Sequence, residues 1–134
     1  MSDIRTLSYD WEFGHEDLVI KVDAYRDRNR LYIGLYNVKG SKLEDFDDLT
    51  VSLPFEVVGV NEAFIDDFAS KEKLEFIRKH KLGSVLPEYG YSGYCQYAKV
   101  AFDLERLAKL DVEGVERYKA IHGMTAGTEK KTED

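Results

Sequence analysis

Eight carboxylates fall between residues 41 and 70: Glu44, Asp45, Asp47, Asp48, Glu56, Glu62, Asp66 and Asp67. One base, Lys42, accompanies them, so this segment's net charge of −7 equals that of the whole chain. Duplex DNA presents one charge about every 1.7 Å of its axis. A carboxylate array held on a strand or helix approximates that spacing and suits a basic, phosphate-binding groove. The ordinary reading is a solvated face that aids solubility, and for acidic runs in general it is the commoner one. The partner-contact candidates of this group are Glu44, Asp45, Asp47, Asp48, Glu62, Asp66 and Asp67.

A second cluster lies at 87–97, which holds four of the nine tyrosines. Tyrosine offers a flat apolar face and a hydroxyl at little cost in rotamer entropy, so it anchors interfaces. Tyr89 and Tyr91 are the contact candidates here. The ordinary alternative is a loop whose rings pack over a sheet edge, and alternation assigns Tyr94 to the core.

Catalytic and metal chemistry find no pattern. Asp45-Phe46-Asp47-Asp48 lacks the alternating ligands, turn glycine and closing Glu of a calcium loop. His15, His80 and His122 are scattered, with no His-Glu-x-x-His. Cys95 is the one cysteine, without a CxxC partner, and reads as a buried or half-buried structural thiol. Cys95→Ser is expected to fold and keep any activity. Gly90-Tyr91-Ser92-Gly93 is neither a P-loop nor a nucleophile elbow. The reading is therefore no catalytic residue, no cofactor and no metal.

The 134 residues suit one domain, with 43% apolar and 34% charged positions, typical of a folded soluble chain. No disulfide, secretory signal or membrane span is read, so a cytoplasmic location is expected. A pI of about 5.0 argues against a broad basic surface for nucleic acid.

The elements follow from periodicity. Leu18, Ile20, Val22 and Ala24 alternate with polar neighbours, as do Leu31, Ile33 and Leu35, so two strands near 18–26 and 31–37 form a hairpin. Pairing Arg26 with Leu31, Ala24 with Ile33 and Val22 with Leu35 aligns their apolar faces and sets Tyr25 opposite Tyr32. Further strands are predicted near 48–53, bounded by Pro54, and near 94–102, with Tyr94, Ala98, Val100 and Phe102 on one face. Residues 55–69 follow no clean period. A helix over 71–82 has Ser70 as its cap, Leu74 and Ile77 inward, basic residues Arg78 to Lys81 in its last turn, and Gly83 as its stop. Asp103 and Asp111 cap two short helices carrying Leu104, Leu107 and Ala108, then Val115, Tyr118 and Ile121. The predicted core is Leu18, Ile20, Val22, Ile33, Leu35, Val51, Leu53, Val100 and Phe102.

Leu53-Pro54, Asn61-Glu62-Ala63-Phe64, Leu82-Gly83, Ser92-Gly93-Tyr94-Cys95-Gln96-Tyr97, Phe102-Asp103 and Leu107 together resemble the bacterial family catalogued as domain of unknown function 4313. The resemblance covers about residues 31–107 and departs from the family pattern at 84–91, where the family has a more basic, glycine-rich loop. It implies a small α+β protein often carried by phages and conjugative elements, and supplies no activity. Small acidic proteins of such elements often block host nucleic-acid machinery, including restriction and CRISPR effectors.

The resulting expectation is an α+β fold: a mostly antiparallel sheet of about four strands packed against two or three short helices. It forms a single domain over 1–123, followed by a disordered tail at 124–134. The expected function is a non-enzymatic acidic binding protein of phage or mobile-element origin. It would be an inhibitor of the anti-CRISPR or anti-restriction type, occupying a basic nucleic-acid-binding surface of a host defence protein. The expected partner is thus a basic host protein, such as a nucleic-acid-processing effector, with no direct nucleic acid and no membrane. The alternative is a small enzyme or ligand-binding module using the Tyr-rich loop 87–97.

Overall fold

A computed structural model describes residues 6–11, 14–26, 28–53, 56–66 and 70–123. The element order is β1 Leu7–Trp11, β2 Gly14–Ala24, β3 Leu31–Lys39, β4 Lys42–Asp48, β5 Thr50–Val51, β6 Glu62–Ile65, α1 Ser70–Lys79, β7 Gly83–Ser92, β8 Cys95–Phe102, α2 Leu104–Leu110 and α3 Val112–Ile121. The class is α+β, with antiparallel pairing throughout. There are two sheets of four strands, ordered β1-β2-β3-β4 and β5-β6-β8-β7.

The chain passes between the sheets at Leu49. The Leu49 N–H donates to Ile33 O at 2.9 Å, and the Ile33 N–H donates to Thr50 Oγ1 at 3.1 Å. The strand predicted at 48–53 is therefore a corner, and only Thr50–Val51 pairs in the second sheet. The 42–48 segment, which lies between the strands predicted near 31–37 and 48–53, is itself a strand. Gly40 at φ +63° turns the chain back, so the acidic residues lie along an edge of the first sheet.

The β2–β3 hairpin forms two residues out of the predicted register. Ala24 faces Leu31, Val22 faces Ile33, and Ile20 faces Leu35. A shift of two preserves which side chains face the core, so periodicity could not distinguish the alternatives. The turn decides. Arg28 (φ 62°) and Asn29 (φ 53°) adopt left-handed backbone, and the Tyr25 N–H donates to Arg30 O. Tyr25 and Tyr32 are not opposite, yet their rings meet edge-on at 5.3 Å.

Eight of the nine predicted core residues are buried, and Val51 is half-buried. Leu7, Tyr9, Ala63, Ile65, Phe76, Ile77, Leu107, Val115 and Tyr118 join the core. Helix α1 touches β1, β6 and β7. It buries Phe76 and Ile77, while Leu74 is only partly buried. Asp103 accepts from the backbone N–H of Glu105 and Arg106, and Asp111 from that of Gly114, as their cap positions require. Val115 and Tyr118 are buried, while Ile121 is exposed. The Ser70 side chain, Pro54, Asp67 and the tail 124–134 lie outside the described residues.

Candidate functional site

The acidic segment does not form one surface. Asp47 and Asp66 turn toward Lys73, which is fully buried. Lys73 Nζ lies 3.0 Å from Asp47 Oδ2 and 3.2 Å from Asp66 Oδ2, and donates to Asp48 O at 2.8 Å. Spacing explains this lysine: Lys73 precedes Phe76 and Ile77 by three and four residues, so it shares their inward face. Glu62 accepts from the Gly59 N–H at 2.7 Å and lies 3.4 Å from Lys99 Nζ. Its carboxyl is held below the usual range by that backbone bond and by Lys99. Glu56 Oε2 accepts from the Tyr91 N–H. These four carboxylates are engaged within the fold.

What remains outward gathers on a different surface. Paired residues of an antiparallel ladder share a face, and successive residues alternate. Leu7, Leu18, Ile20, Val22, Ile33 and Leu35 face the core. The register therefore puts Asp10 and His15, Ser8 and Asp17, Val19 and Tyr36, Lys21 and Gly34, and Asp23 and Tyr32 on the other face, with Asp45 and Asp48 beside them on β4. A register shift between Leu35 and Tyr36 lets Asp45 and Asp48 share this face while Asp47 turns inward. Asp10, Asp17, Asp23, Asp45 and Asp48 are all exposed. Glu44 is exposed on the opposite side of the same edge strand.

Tyr32 and Tyr36 lie half-buried at the centre. A Cβ on Gly34 would sit 2.5 Å from Tyr32 Oη and 2.9 Å from Tyr36 Cε1, so both rings lean over that glycine. The Tyr32 hydroxyl donates to Asp48 Oδ1 at 2.7 Å. Burial and the nearby Asp48 raise its pKa. At one end His15 bridges two acids, with Nδ1 at 2.6 Å from Asp10 and Nε2 at 3.1 Å from Asp17. These bonds, Asp10's first, raise the His15 pKa, and His15 in turn lowers that of Asp10. The face thus presents five carboxylates around a tyrosine pair, relieved by Lys21 and His15.

Sequence reasoning found Asp45 and Asp48 but missed Asp10, Asp17 and Asp23. The usable signal was the outward phase of β2, where His15, Asp17, Lys21 and Asp23 alternate with core positions and only Val19 breaks the polar series.

The tyrosine segment is a hairpin, not a loop. Strand β7 pairs with β8 from Ser92–Cys95 back to Gly83–Phe102, with a break between Val85 and Tyr89. Tyr89 and Tyr91 are exposed. Tyr94 is fully exposed at the turn instead of packing in the core. Cys95 is also exposed, not structural. Gly93 at φ +60° makes the turn, so Tyr94 lies outside the alternation that was extended through it. Among the described residues no group of three His, Cys, Asp or Glu side chains is placed to hold a metal ion.

The family described as Domain of unknown function (DUF4313) matches residues 19–121. The chain belongs to this family. No curated protein and no solved structure matches it. The family match runs from Val19, midway along β2, through α3, so it covers Asp23, Asp45 and Asp48 and the whole β7–β8 hairpin, while Asp10, His15 and Asp17 precede it. Among the described residues no helix is long and apolar enough to cross a membrane.

Proposed function

We propose that this member of the family is a non-enzymatic binding protein that docks its acidic sheet face on a basic protein surface. The observation that carries the reading is the set of five exposed carboxylates around Tyr32 and Tyr36. A rigid ladder fixes their spacing, and a tyrosine pair within an acidic ring supplies anchor area and charge together. The partner of best fit is a host protein whose own ligand is nucleic acid, and the chain competes with phosphate for that surface. An inhibitor of a restriction or CRISPR-type effector, encoded by a phage or other mobile element and acting in the cytoplasm, fits this chemistry.

Asp47, Asp66 and Glu62 drop out of the contact set, because their charges are used inside the fold. Tyr89 and Tyr91 form a second contact surface. Their exposure suits a protein partner better than enclosure of a small molecule.

The test is capture of partners from a bacterial host, followed by binding measurements with two variants. Asp17→Asn with Asp45→Asn and Asp48→Asn should slow association and flatten the salt dependence, since exposed charges are screened within roughly 8 Å at physiological salt. Tyr89→Ala with Tyr91→Ala removes aromatic area but no charge. If that pair abolishes binding while the Asn variant binds normally at low and high salt, the hairpin is the site and the acidic-face reading fails.

A further inference from the structure

Although the chain is acidic overall, its cations are not evenly spread. A cavity of about 530 Å³ is lined by Lys79, His80, Lys81, Arg106, Lys109, Asp103 and Glu105. It shares Lys81 and Asp103 with a second cavity of about 550 Å³ that adds Arg78. Basic residues at the end of one helix have an ordinary explanation in the helix dipole. That explanation covers Arg78 and Lys79 on α1. It covers Lys109 in the last turn of α2 as well, but not Arg106, which arrives from the middle of α2 to face the same space.

Three details set this groove apart from a solvated basic patch. Arg106 donates its Nε–H to His80 O at 3.0 Å, which fixes the guanidinium plane and leaves its Nη groups for another acceptor. Among the described residues, Arg78, Lys81, Arg106 and Lys109 form no ion pair, whereas Lys79 lies 3.6 Å from Asp10. Of the two carboxylates lining the cavity, Asp103 is committed to capping α2 through Glu105 N and Arg106 N.

A further detail is the backbone of Lys81. After α1 the Leu82 N–H donates to Ile77 O and the Lys81 N–H to Arg78 O, the paired bonds of a Schellman stop. That motif requires left-handed backbone at residue 81, where glycine is the usual choice. This chain places a lysine there at φ 59°. A residue held in a costly conformation beside unpaired cations points to use of its side chain.

We propose that this groove binds a small ligand carrying two or more adjacent phosphate groups. Each cavity falls within the ~300–1,000 Å³ range of small-molecule sites. The convergent cations suit a chain of phosphates, with Arg106 forking onto one group and the lysines acting as point charges on its neighbours. This site meets the acidic face only where Lys79 lies beside Asp10, and its failure would leave the docking proposal standing.

The experiment titrates the full chain with orthophosphate, pyrophosphate and tripolyphosphate, followed by calorimetry and by amide shifts of residues 78–84 and 103–109. Affinity should rise from ortho- to tripolyphosphate by at least about tenfold, as added charged hydrogen bonds predict. Arg106→Gln and Lys109→Gln should each weaken tripolyphosphate binding about five- to tenfold, and Lys39→Gln should not. Lys81→Gly is the decisive variant: its melting temperature should hold or rise, because glycine relieves the left-handed strain, while binding falls. Equal binding of all three anions, or binding indifferent to these variants, overturns the proposal. Tighter binding of a single-stranded oligonucleotide than of tripolyphosphate, lost in the same variants, would assign the groove to a nucleic-acid backbone and overturn the small-ligand assignment.

Discussion

Lys73 is the residue on which the acidic segment turns. An ammonium without solvent contact is tolerated only where its charge and donors are met, and Asp47, Asp66 and the Asp48 carbonyl meet them. The three acceptors come from β4 and from the residue after β6, so one side chain ties both sheets to α1. Lys73→Met keeps the volume and removes the charge, leaving two partly exposed carboxylates close together. We expect a loss of about 3 kcal/mol in urea unfolding near neutral pH. A variant as stable as the parent at pH 7 would show that the triad contributes nothing. In the sequence, Asp47 and Asp66 look the same as Asp45 and Asp48. Which acids are internal depends on a register shift in β4 and a lysine on another element, and neither leaves a local trace. The exposure of Tyr89 and Tyr91 was one of two readings the sequence left open, the other being rings packed over a sheet edge.

At the scale of elements, the α2–α3 junction closes an open strand edge. Strand β1 pairs with β2 only as far as Leu18, so the β2 backbone beyond it lacks a strand partner on that side. Asp111 covers it. One carboxylate oxygen accepts from the Val22 N–H at 2.8 Å and the other from the Gly114 N–H at 3.3 Å, so a single residue caps a helix and an edge. Gly114 permits the approach, since an added Cβ would meet Asp111 Oδ2 at 2.2 Å and Val22 O at 2.4 Å. Ala in place of Gly within a helix ordinarily stabilises by up to about 1 kcal/mol. Gly114→Ala should do the opposite, costing about 2–4 kcal/mol in unfolding midpoint as α3 is forced off β2. A neutral or stabilising result would mean the junction yields easily. The caps at Asp103 and Asp111 and the main strands of the first sheet were readable, since both depend on residue type and period within a few positions. Strands β1, β4 and β6 were not, and neither was β7, whose glycines read as a loop. Short strands, an acidic edge and pairing between β6 and β8 some forty residues apart give no local alternation to detect.

For the molecule as a whole, buried phenols set an alkaline limit to the fold. Tyr9 and Tyr118 are each 1% exposed. Burial, with Asp47 and Glu72 adding to it, pushes Tyr9 up to about 12, and burial alone pushes Tyr118 up to about 12. Tyr25 and Tyr32 are also raised, mainly by burial. A phenol whose pKa is higher folded than unfolded favours the fold fully below the unfolded value of about 10 and loses that contribution as the pH climbs through the folded value. Stability should therefore fall between pH 10 and 12, and the 295 nm phenolate signal of these groups should rise together with loss of the far-ultraviolet signal. The two most buried rings then separate by their hydroxyls. Tyr118 donates its hydroxyl to Val60 O, whereas the Tyr9 hydroxyl has no hydrogen-bond partner among the described residues. Tyr118→Phe should cost about 1 kcal/mol at pH 7 and raise the alkaline midpoint. Tyr9→Phe should raise that midpoint with no loss at pH 7, because it removes a buried polar atom that gained nothing. If both variants leave the alkaline midpoint where it was, unfolding there is driven by general charge repulsion in an already acidic chain, and the buried phenols are spectators.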